Sequence, residues 1–245
     1  MIKILFACLA AGLLLILLSS APEASFLDNL LKGSVTGQQK NTQHDEGTIA
    51  SGLREALSVG TQRAVSNVSL TDGYFKNQAI KILMPEKIQK VADVMKKVGY
   101  QKQVDEFILS MNRAAESAAP AAKSIFVDAI RQMSIEDAKK IFNGGENAAT
   151  NFFREKTYDR LYNAFKPTVS DSMNRVGTTK SYKAMISKYE SVPFMNKESM
   201  DLDNYVTNKS LDGLFYMIAQ EEKKIRTDPV ARTTDLLKKV FGSTK

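Results

Sequence analysis

The 245-residue chain has no tryptophan, and it contains one cysteine, Cys8, and one histidine, His44. A single cysteine cannot form an intramolecular disulfide, and one cysteine with one histidine cannot supply the ligands of a zinc site. His44 is also the only imidazole that could activate a serine or cysteine nucleophile, and the polar segment around it cannot hold a catalytic geometry. We therefore predict neither a metal site nor a histidine-dependent catalytic centre.

Other motifs that carry chemistry are missing as well. The sequence has no glycine-rich phosphate loop, no nucleophile elbow, no zincin motif and no EF-hand loop. We therefore predict no cofactor and name no catalytic residue. An enzyme would have to work with carboxylates alone, for example as a hydrolase with two acids about 5 to 9.5 Å apart across a cleft. A non-enzymatic protein is the favoured interpretation.

Positive charge is in modest surplus, with 34 Lys and Arg against 27 Asp and Glu, which gives a net charge of +7. The basic residues are spread along the chain, with small clusters at 96–97, 139–140, 223–224 and 238–239. Nucleic-acid binding typically needs a concentrated basic stripe with aromatic platforms, so we predict no nucleic-acid partner. Diffuse basicity is typical of solvated helix faces, and it also suits weak association with an anionic membrane surface.

The N-terminus has the order of a secretory signal peptide, which we assign to residues 1–24. Lys3 precedes a 15-residue apolar run, Ile4 to Leu18, and small polar residues follow. As a helix, this run spans roughly 22 Å, less than the roughly 30 Å of a bilayer core. Export to the periplasm is therefore expected. Pro22 makes the cleavage site unfavourable, which leaves an uncleaved anchor in the inner membrane as the alternative.

Residues 25–47 are predicted to be a flexible linker. Their second half, residues 33–47, is rich in Gly, Gln, Thr and Asn and has a single apolar residue, Val35. Such a segment has too little apolar surface to bury against a core. The folded domain should therefore begin at residue 48.

Residues 48–242 are predicted to form one all-α domain, a bundle of about nine helices. Apolar residues recur at helical spacing throughout, and no segment shows the period-two alternation of a strand. Glycines and prolines divide the pattern into helices. The dividing residues are Gly99, Pro120, Gly144, Gly145, Pro167, Gly177, Pro193 and Pro229.

Ala56, Gly60 and Ala64 place small residues at every fourth position on the apolar face of the first helix. Glycine inside a helix costs about 1 kcal/mol relative to alanine, so its use on a packing face needs a reason. We predict that another helix packs closely against these three residues.

Glu222 occupies an apolar position of the long C-terminal helix. Its neighbours on the helical wheel are Leu211, Phe215, Ile218 and Ile225. A carboxylate in such a stripe is paired, exposed at an edge, or functional. We predict a buried charged network of Glu222 with Arg226 or Arg154. Arg226 follows one helical turn later, and Arg154 is itself a charge on an apolar face, among Thr157, Leu161 and Phe165.

Four stretches carry a resemblance to a known family: REALSVGTQRAV (54–65), DGYFKN (72–77), SMNRAAESAAP (110–120) and the C-terminal run LDGLFYMIAQEEKKIRTDPVARTTDLLKKVFG (211–242). The chain resembles the bacterial domain-of-unknown-function family 4197 over about residues 48–242. The resemblance implies an exported helical protein in a bacterial envelope. It implies no reaction, cofactor or catalytic residue.

We therefore expect a periplasmic, non-enzymatic binding or interaction module that acts on an envelope partner. The alternative is a peripheral envelope or lipid-surface protein. That alternative depends on the basic surplus and on the amphipathic last helix, with Leu236, Leu237, Val240 and Phe241 on its apolar side. Packing against the core is the competing interpretation of that helix.

Overall fold

A computed structural model of the chain describes residues 46–175, 187 and 201–242. The predicted signal peptide, residues 1–24, lies outside the described residues. So does the predicted linker, residues 25–47, apart from its last two residues. The described residues belong to one compact unit that begins at His44.

Helices account for the regular structure of the described residues, and no strand occurs among them, which confirms the all-α class. Eight α-helices are numbered here in chain order: α1 Glu46–Ser69, α2 Glu86–Met95, α3 Gln101–Ala118, α4 Ala122–Gln132, α5 Ile135–Asn143, α6 Ala148–Arg175, α7 Leu202–Thr227 and α8 Asp235–Gly242.

The predicted count of about nine separate helices is too high, because the described residues form six continuous α-helical segments. Helices α2, α3 and α4 run on as one segment. A π-helical turn at Lys96–Tyr100 joins the first two, with Gly99 at a φ of 94°, and a 3-10 turn at Ala119–Ala121 joins the last two. Gly99 therefore marks a kink at which the backbone leaves helical angles between α2 and α3, whereas the backbone on both sides of Pro120 stays helical.

Pro167 was also expected to end a helix, and this expectation is wrong. Helix α6 continues through Pro167 to Arg175 and reaches 28 residues, so it is longer than α7, which has 26. Proline inside a helix costs about 3 kcal/mol. Val169 and Met173 are both fully buried beyond it. Burial of two such side chains contributes about 1.5–3 kcal/mol each, which offsets that cost. Gly177 and Pro193, two of the predicted dividing residues, lie outside the described residues.

The core lies between α1, α6 and α7. Helix α7 packs against both α6 and α1, while α3 packs against α6, and α4 and α5 pack against α1. Three buried rings meet at the centre: the Phe126 ring centroid lies 5.2 Å from that of Phe153 and 6.3 Å from that of Phe215, both in edge-on geometry.

The last helix, α8, packs against α1 with its apolar side. Val240 and Phe241 are only 0% and 6% exposed, and the Phe241 ring lies 5.6 Å from Phe142. A Cβ at Gly52 would lie 2.5 Å from Val240 Cγ2, so the two helices meet closely there. These residues of α8 pack into the core, so a lipid-surface role depends on the basic surplus alone. No helix in the described part of the chain is long and apolar enough to cross a bilayer.

Candidate functional site

Glu222 is buried and holds the N-terminal end of α6. Its Oε1 accepts a hydrogen bond from the Ala149 N–H at 3.0 Å, and its Oε2 accepts from the Thr150 N–H at 2.9 Å and the Thr150 hydroxyl at 2.8 Å. The first N–H groups of a helix lack intrahelical partners and carry partial positive charge. A carboxylate at this position therefore accepts hydrogen bonds from two of these N–H groups, and its negative charge interacts favourably with the helix dipole.

Arg226 binds the same carboxylate and reaches a second helix end. Its Nε and Nη2 donate to Glu222 Oε1 at 3.1 and 3.0 Å, and Nη2 also donates to the Ile141 carbonyl of α5 at 2.8 Å. We name Glu222 with Arg226 the Glu222 clamp. It joins the last turn of α5 to the first turn of α6, so its role is structural.

Arg154, the alternative partner, lies elsewhere. Its side chain is 44% exposed, its guanidinium lies over the Phe215 ring at 4.6 Å, and its Nη1 donates to Asp212 at 3.4 Å. The buried stripe of α6 runs through the preceding residue, Phe153, and a side chain one position away points about 100° around the helix.

Ala56, Gly60 and Ala64 are all buried on α1. A Cβ at Gly60 would lie 3.4 Å from Ile225 Cδ1 and 3.6 Å from Glu221 Cβ. Gly60 therefore faces α7, next to the Glu222 clamp. The structure brings this small-residue surface and the clamp together at one part of the bundle.

A second buried glutamate, Glu116, forms a similar arrangement that sequence reasoning missed. Its Oε1 accepts from the backbone N–H groups of Tyr74 and Phe75 at 3.1 and 3.2 Å, and its Oε2 accepts from Arg113 at 2.6 Å. Arg113 also binds Asp72 Oδ1 at 2.6 Å. We name Glu116 with Arg113 the Glu116 clamp. It fixes the turn after α1, where Asp72 adopts a φ of 69°.

The segment beyond that turn is held from both sides. Asn112 is fully buried, and its side-chain amide accepts from the Ile82 N–H and donates to the Ile82 carbonyl, both at 2.8 Å. Tyr74 is also fully buried, and its hydroxyl donates to the Ser210 carbonyl of α7 at 2.6 Å. Burial, and then the charge of Glu116, raise the pKa of the Tyr74 hydroxyl. Tyr74 therefore stays neutral and serves as a hydrogen-bond donor.

The segment 79–86 and α7 form the two walls of an open cleft of about 440 Å³. Lys81, Leu83 and Glu86 line it from the segment, and Tyr205, Lys209, Asp212, Gly213 and Tyr216 line it from the helix. Leu83 is 59% exposed and Tyr216 is 43% exposed, although both are large apolar side chains. Exposed apolar surface in a concave site is typical of a ligand or partner site.

Side-chain hydrogen bonds hold α7 against α6 beside this cleft. The Tyr158 hydroxyl donates to Asn208 Oδ1 at 2.8 Å, and the Tyr162 hydroxyl donates to Asn204 Oδ1 at 2.9 Å. Arg154 and Asp212 continue the same row at the next helical turn. Both helices contribute every fourth residue to this row of contacts. The row therefore holds α7, which forms one wall of the cleft, in a fixed position against α6.

The described residues contain no group of three His, Cys, Asp or Glu side chains that could hold a metal ion. The cleft has one carboxylate on each wall, Glu86 and Asp212, and Asp212 is bound to Arg154. The side chains available in the cleft are therefore those that bind by contact, hydrogen bonding and charge.

These features define a class: an all-helical bundle with two Arg–Glu clamps, one that joins two helix ends and one that fixes a loop beside a polar and aromatic cleft. A family model described as "Protein of unknown function (DUF4197)" matches residues 43–242. The chain therefore belongs to that family, which confirms the resemblance seen in the four sequence stretches. No curated protein and no solved structure matches the chain.

Proposed function

We propose that the protein is an exported, non-enzymatic binding module of the bacterial envelope, and that the cleft between 79–86 and α7 is its binding site. The observation that carries the proposal is the cleft itself. It exposes Leu83 and Tyr216 on walls that the Glu116 clamp and the row of contacts between α6 and α7 hold in place. Preformed concave sites of this kind are typical of ligand recognition.

The use of the buried carboxylates favours binding over catalysis. Glu116 and Glu222 each accept hydrogen bonds from two backbone N–H groups, and Glu221 binds Lys224 at 2.7 Å. An acid–base catalyst needs a carboxyl group free to exchange a proton with a substrate. In this protein the buried acids are engaged in holding the scaffold.

Export is proposed from the N-terminal sequence, and it is tested by fractionation with N-terminal sequencing. We expect the protein in the periplasm, with a mature chain that begins near Ser25. A full-length cytoplasmic protein beginning at Met1 would contradict export. A full-length chain in the membrane fraction would indicate the uncleaved anchor.

Partner binding is tested with a photoreactive phenylalanine analogue in living cells. We place it at Leu83, inside the cleft, and at Val98, outside it, because the two side chains are 59% and 61% exposed and so are matched for accessibility. We expect a discrete cross-linked product at Leu83 that is missing at Val98. Identical patterns at both positions, or no product at either, would contradict the cleft as the binding site.

A further inference from the structure

We infer that the ligand of the cleft is an extended acidic peptide that pairs through its backbone with residues 81–83 and places a carboxylate near Lys81 and Lys209. This inference deepens the proposed function and depends on it, since the site is the same cleft. It follows from three features: the direction of free backbone groups, the spacing of side chains on α7, and the charge of the two walls.

Residues 81–85 belong to neither a helix nor a strand, and Pro85 has extended backbone angles, with φ −55° and ψ 138°. Ile82 and Met84 are buried while Leu83 between them is exposed, which is the alternation of a strand. Pro85 also restricts Met84 to extended backbone. The segment therefore has the geometry to accept a second strand.

One edge of this segment is filled and the other is partly filled, because the Lys81 N–H already donates to the Asn77 carbonyl at 2.8 Å. In a strand, the N–H and C=O of successive residues point to opposite edges. Both backbone groups of Ile82 bind Asn112 of α3, so that edge is filled. The Leu83 carbonyl points the other way, because it accepts from the Tyr205 hydroxyl of α7 at 3.0 Å. No described residue accepts from the Leu83 N–H or donates to the Lys81 carbonyl. If the segment is extended, strand geometry puts both groups on the same edge as the Leu83 carbonyl, toward α7.

Helix α7 supplies the opposite wall. Tyr205, Lys209 and Tyr216 recur along one side of it at helical spacing. Gly213 lies among them, and a Cβ there would come within 2.6 Å of the Tyr74 ring and 3.1 Å of Ile80 Cβ, so helix and segment approach closely at that point. A groove between a strand edge and a helix is the geometry that accepts an added peptide strand.

Charge selects the kind of peptide. Neither Lys81 nor Lys209 has a carboxylate partner among the described residues, and their ammonium groups lie over Phe75 at 4.3 Å and Tyr205 at 6.0 Å. The lining carboxylates are Glu86 and Asp212, and Arg154 lies 3.4 Å from Asp212, so three cations stand against two carboxylates when Arg154 is counted. The cleft is therefore net positive and complementary to a carboxylate.

The probe for this inference is a synthetic library of N-acetylated octapeptide amides, split into an acidic half and a basic half. It is screened against the intact mature chain by fluorescence anisotropy. We expect binders in the acidic half only. If no octapeptide binds while Leu83 still cross-links in cells, the peptide inference fails and the proposed binding function stands. If neither occurs, both fail.

Charge variants of the cleft sharpen the result for the best acidic octapeptide. We expect Lys209→Glu to weaken binding about tenfold or more, and Glu86→Gln to strengthen it by about two- to fivefold. Lys102→Glu is the matched control, because Lys102 is 83% exposed on α3 and does not line the cleft. Equal effects of Lys102→Glu and Lys209→Glu would mean that net charge alone attracts the peptide, which would overturn the assigned site.

Backbone pairing is tested separately from charge. We expect an octapeptide with N-methyl groups on alternate amides to bind about tenfold more weakly than its parent, because the methyl groups remove strand donors. We also expect Leu83→Pro to abolish binding and Leu83→Ala to retain it, since only proline removes the Leu83 N–H. Two such peptides are needed, one methylated at the odd-numbered amides and one at the even-numbered amides. If both bound with full affinity, strand pairing would be overturned, whether or not the Leu83→Pro variant folds.

Discussion

The Glu222 clamp and the Glu116 clamp use the same chemistry at two places in the bundle. In each, a buried glutamate and an arginine one helical turn away lie on one helix, and the carboxylate accepts from two consecutive backbone N–H groups of another segment. The Glu222 clamp joins two helix ends. The Glu116 clamp fixes a turn and, through it, the segment that walls the cleft.

The two clamps differ in how the arginine is compensated. Arg113 has a second carboxylate, Asp72, while Arg226 otherwise reaches carbonyl oxygens of α5. Arg226 is also less exposed, at 17% against 32% for Arg113. A buried charge left without a counter-charge is far more costly than a partly solvated one that keeps a partner. The same Arg–Glu pair should therefore matter more for stability in the Glu222 clamp.

The largest effect is expected from Glu222→Ala. This change leaves Arg226 without a carboxylate and frees two N–H groups of α6, so the free energy of unfolding should fall by about 3–5 kcal/mol. Glu222→Gln keeps the shape and part of the hydrogen bonding, and it should cost less. Urea unfolding followed by circular dichroism measures both. A cost below about 0.5 kcal/mol, typical of a surface substitution, would contradict the clamp.

A smaller loss is expected from Glu116→Ala. Arg113 keeps Asp72 as a partner, so the main loss is of hydrogen bonds to a charged group, about 1.5–3 kcal/mol. The same urea experiment ranks the two variants. If Glu116→Ala destabilised the protein more than Glu222→Ala, the second carboxylate of Arg113 would not explain the difference between the clamps.

Each clamp lies near a glycine that lets another element approach α7. Substitution of these glycines should lower the free energy of unfolding by the next largest amount. Gly213→Ala puts a Cβ within 2.6 Å of the buried Tyr74 ring, beside the turn of the Glu116 clamp, and should cost about 1–3 kcal/mol. Gly60→Leu should cost about the same near the Glu222 clamp.

The control for these substitutions is Gly60→Ala. Its Cβ has 3.4 Å to Ile225 Cδ1, an ordinary contact, so the gain in helix propensity should raise stability by up to about 1 kcal/mol. Urea midpoints of the three variants decide the matter. A loss for Gly60→Ala comparable to that for Gly213→Ala would show that α1 and α7 leave no room at Gly60.

The smallest expected effect concerns acid stability and tests Asp72, the partly buried second carboxylate of the Glu116 clamp. Hydrogen bonds from Lys76 and then Arg113 lower the pKa of Asp72 below its usual 3.8. A lowered folded pKa contributes stability above the unfolded pKa, and that stability is lost as pH falls through the folded pKa. Asp72→Asn should therefore flatten the loss of stability below about pH 4. An unchanged acid limb in urea midpoints from pH 2 to 7 would contradict this contribution.

Sequence periodicity located Glu222 because the stripe of α7 around it is apolar on one side, so a carboxylate among Ile218 and Ile225 stands out. It did not locate Glu116, which the helical wheel puts opposite the apolar stripe of α3. That side is buried because the segment 70–85 covers it. Alanines on different sides of α3, such as Ala114 and Ala115, which point about 100° apart, were the available signal of a helix covered on several sides.

The cleft could not be predicted from the sequence for a related reason. Whether Lys81 and Leu83 face solvent, core or a groove depends on how an irregular segment lies against α7, and no local rule fixes that. Pro167 also shows that tertiary packing can override a local sequence preference. Its own preference ends a helix, yet burial of Val169 and Met173 beyond it keeps α6 intact.

The contact of the first helix with the last two has a consequence for how the chain becomes folded. Gly52 meets Val240 and Gly60 meets Ile225, so α1 completes its packing only when the C-terminal part of the chain is present. Contacts between distant parts of a sequence delay folding until both parts are available. If the chain crosses a membrane as proposed, the bundle cannot close while its C-terminus is still being synthesised. The topology itself then helps to keep the polypeptide unfolded, and so competent for translocation, until its transfer is nearly complete.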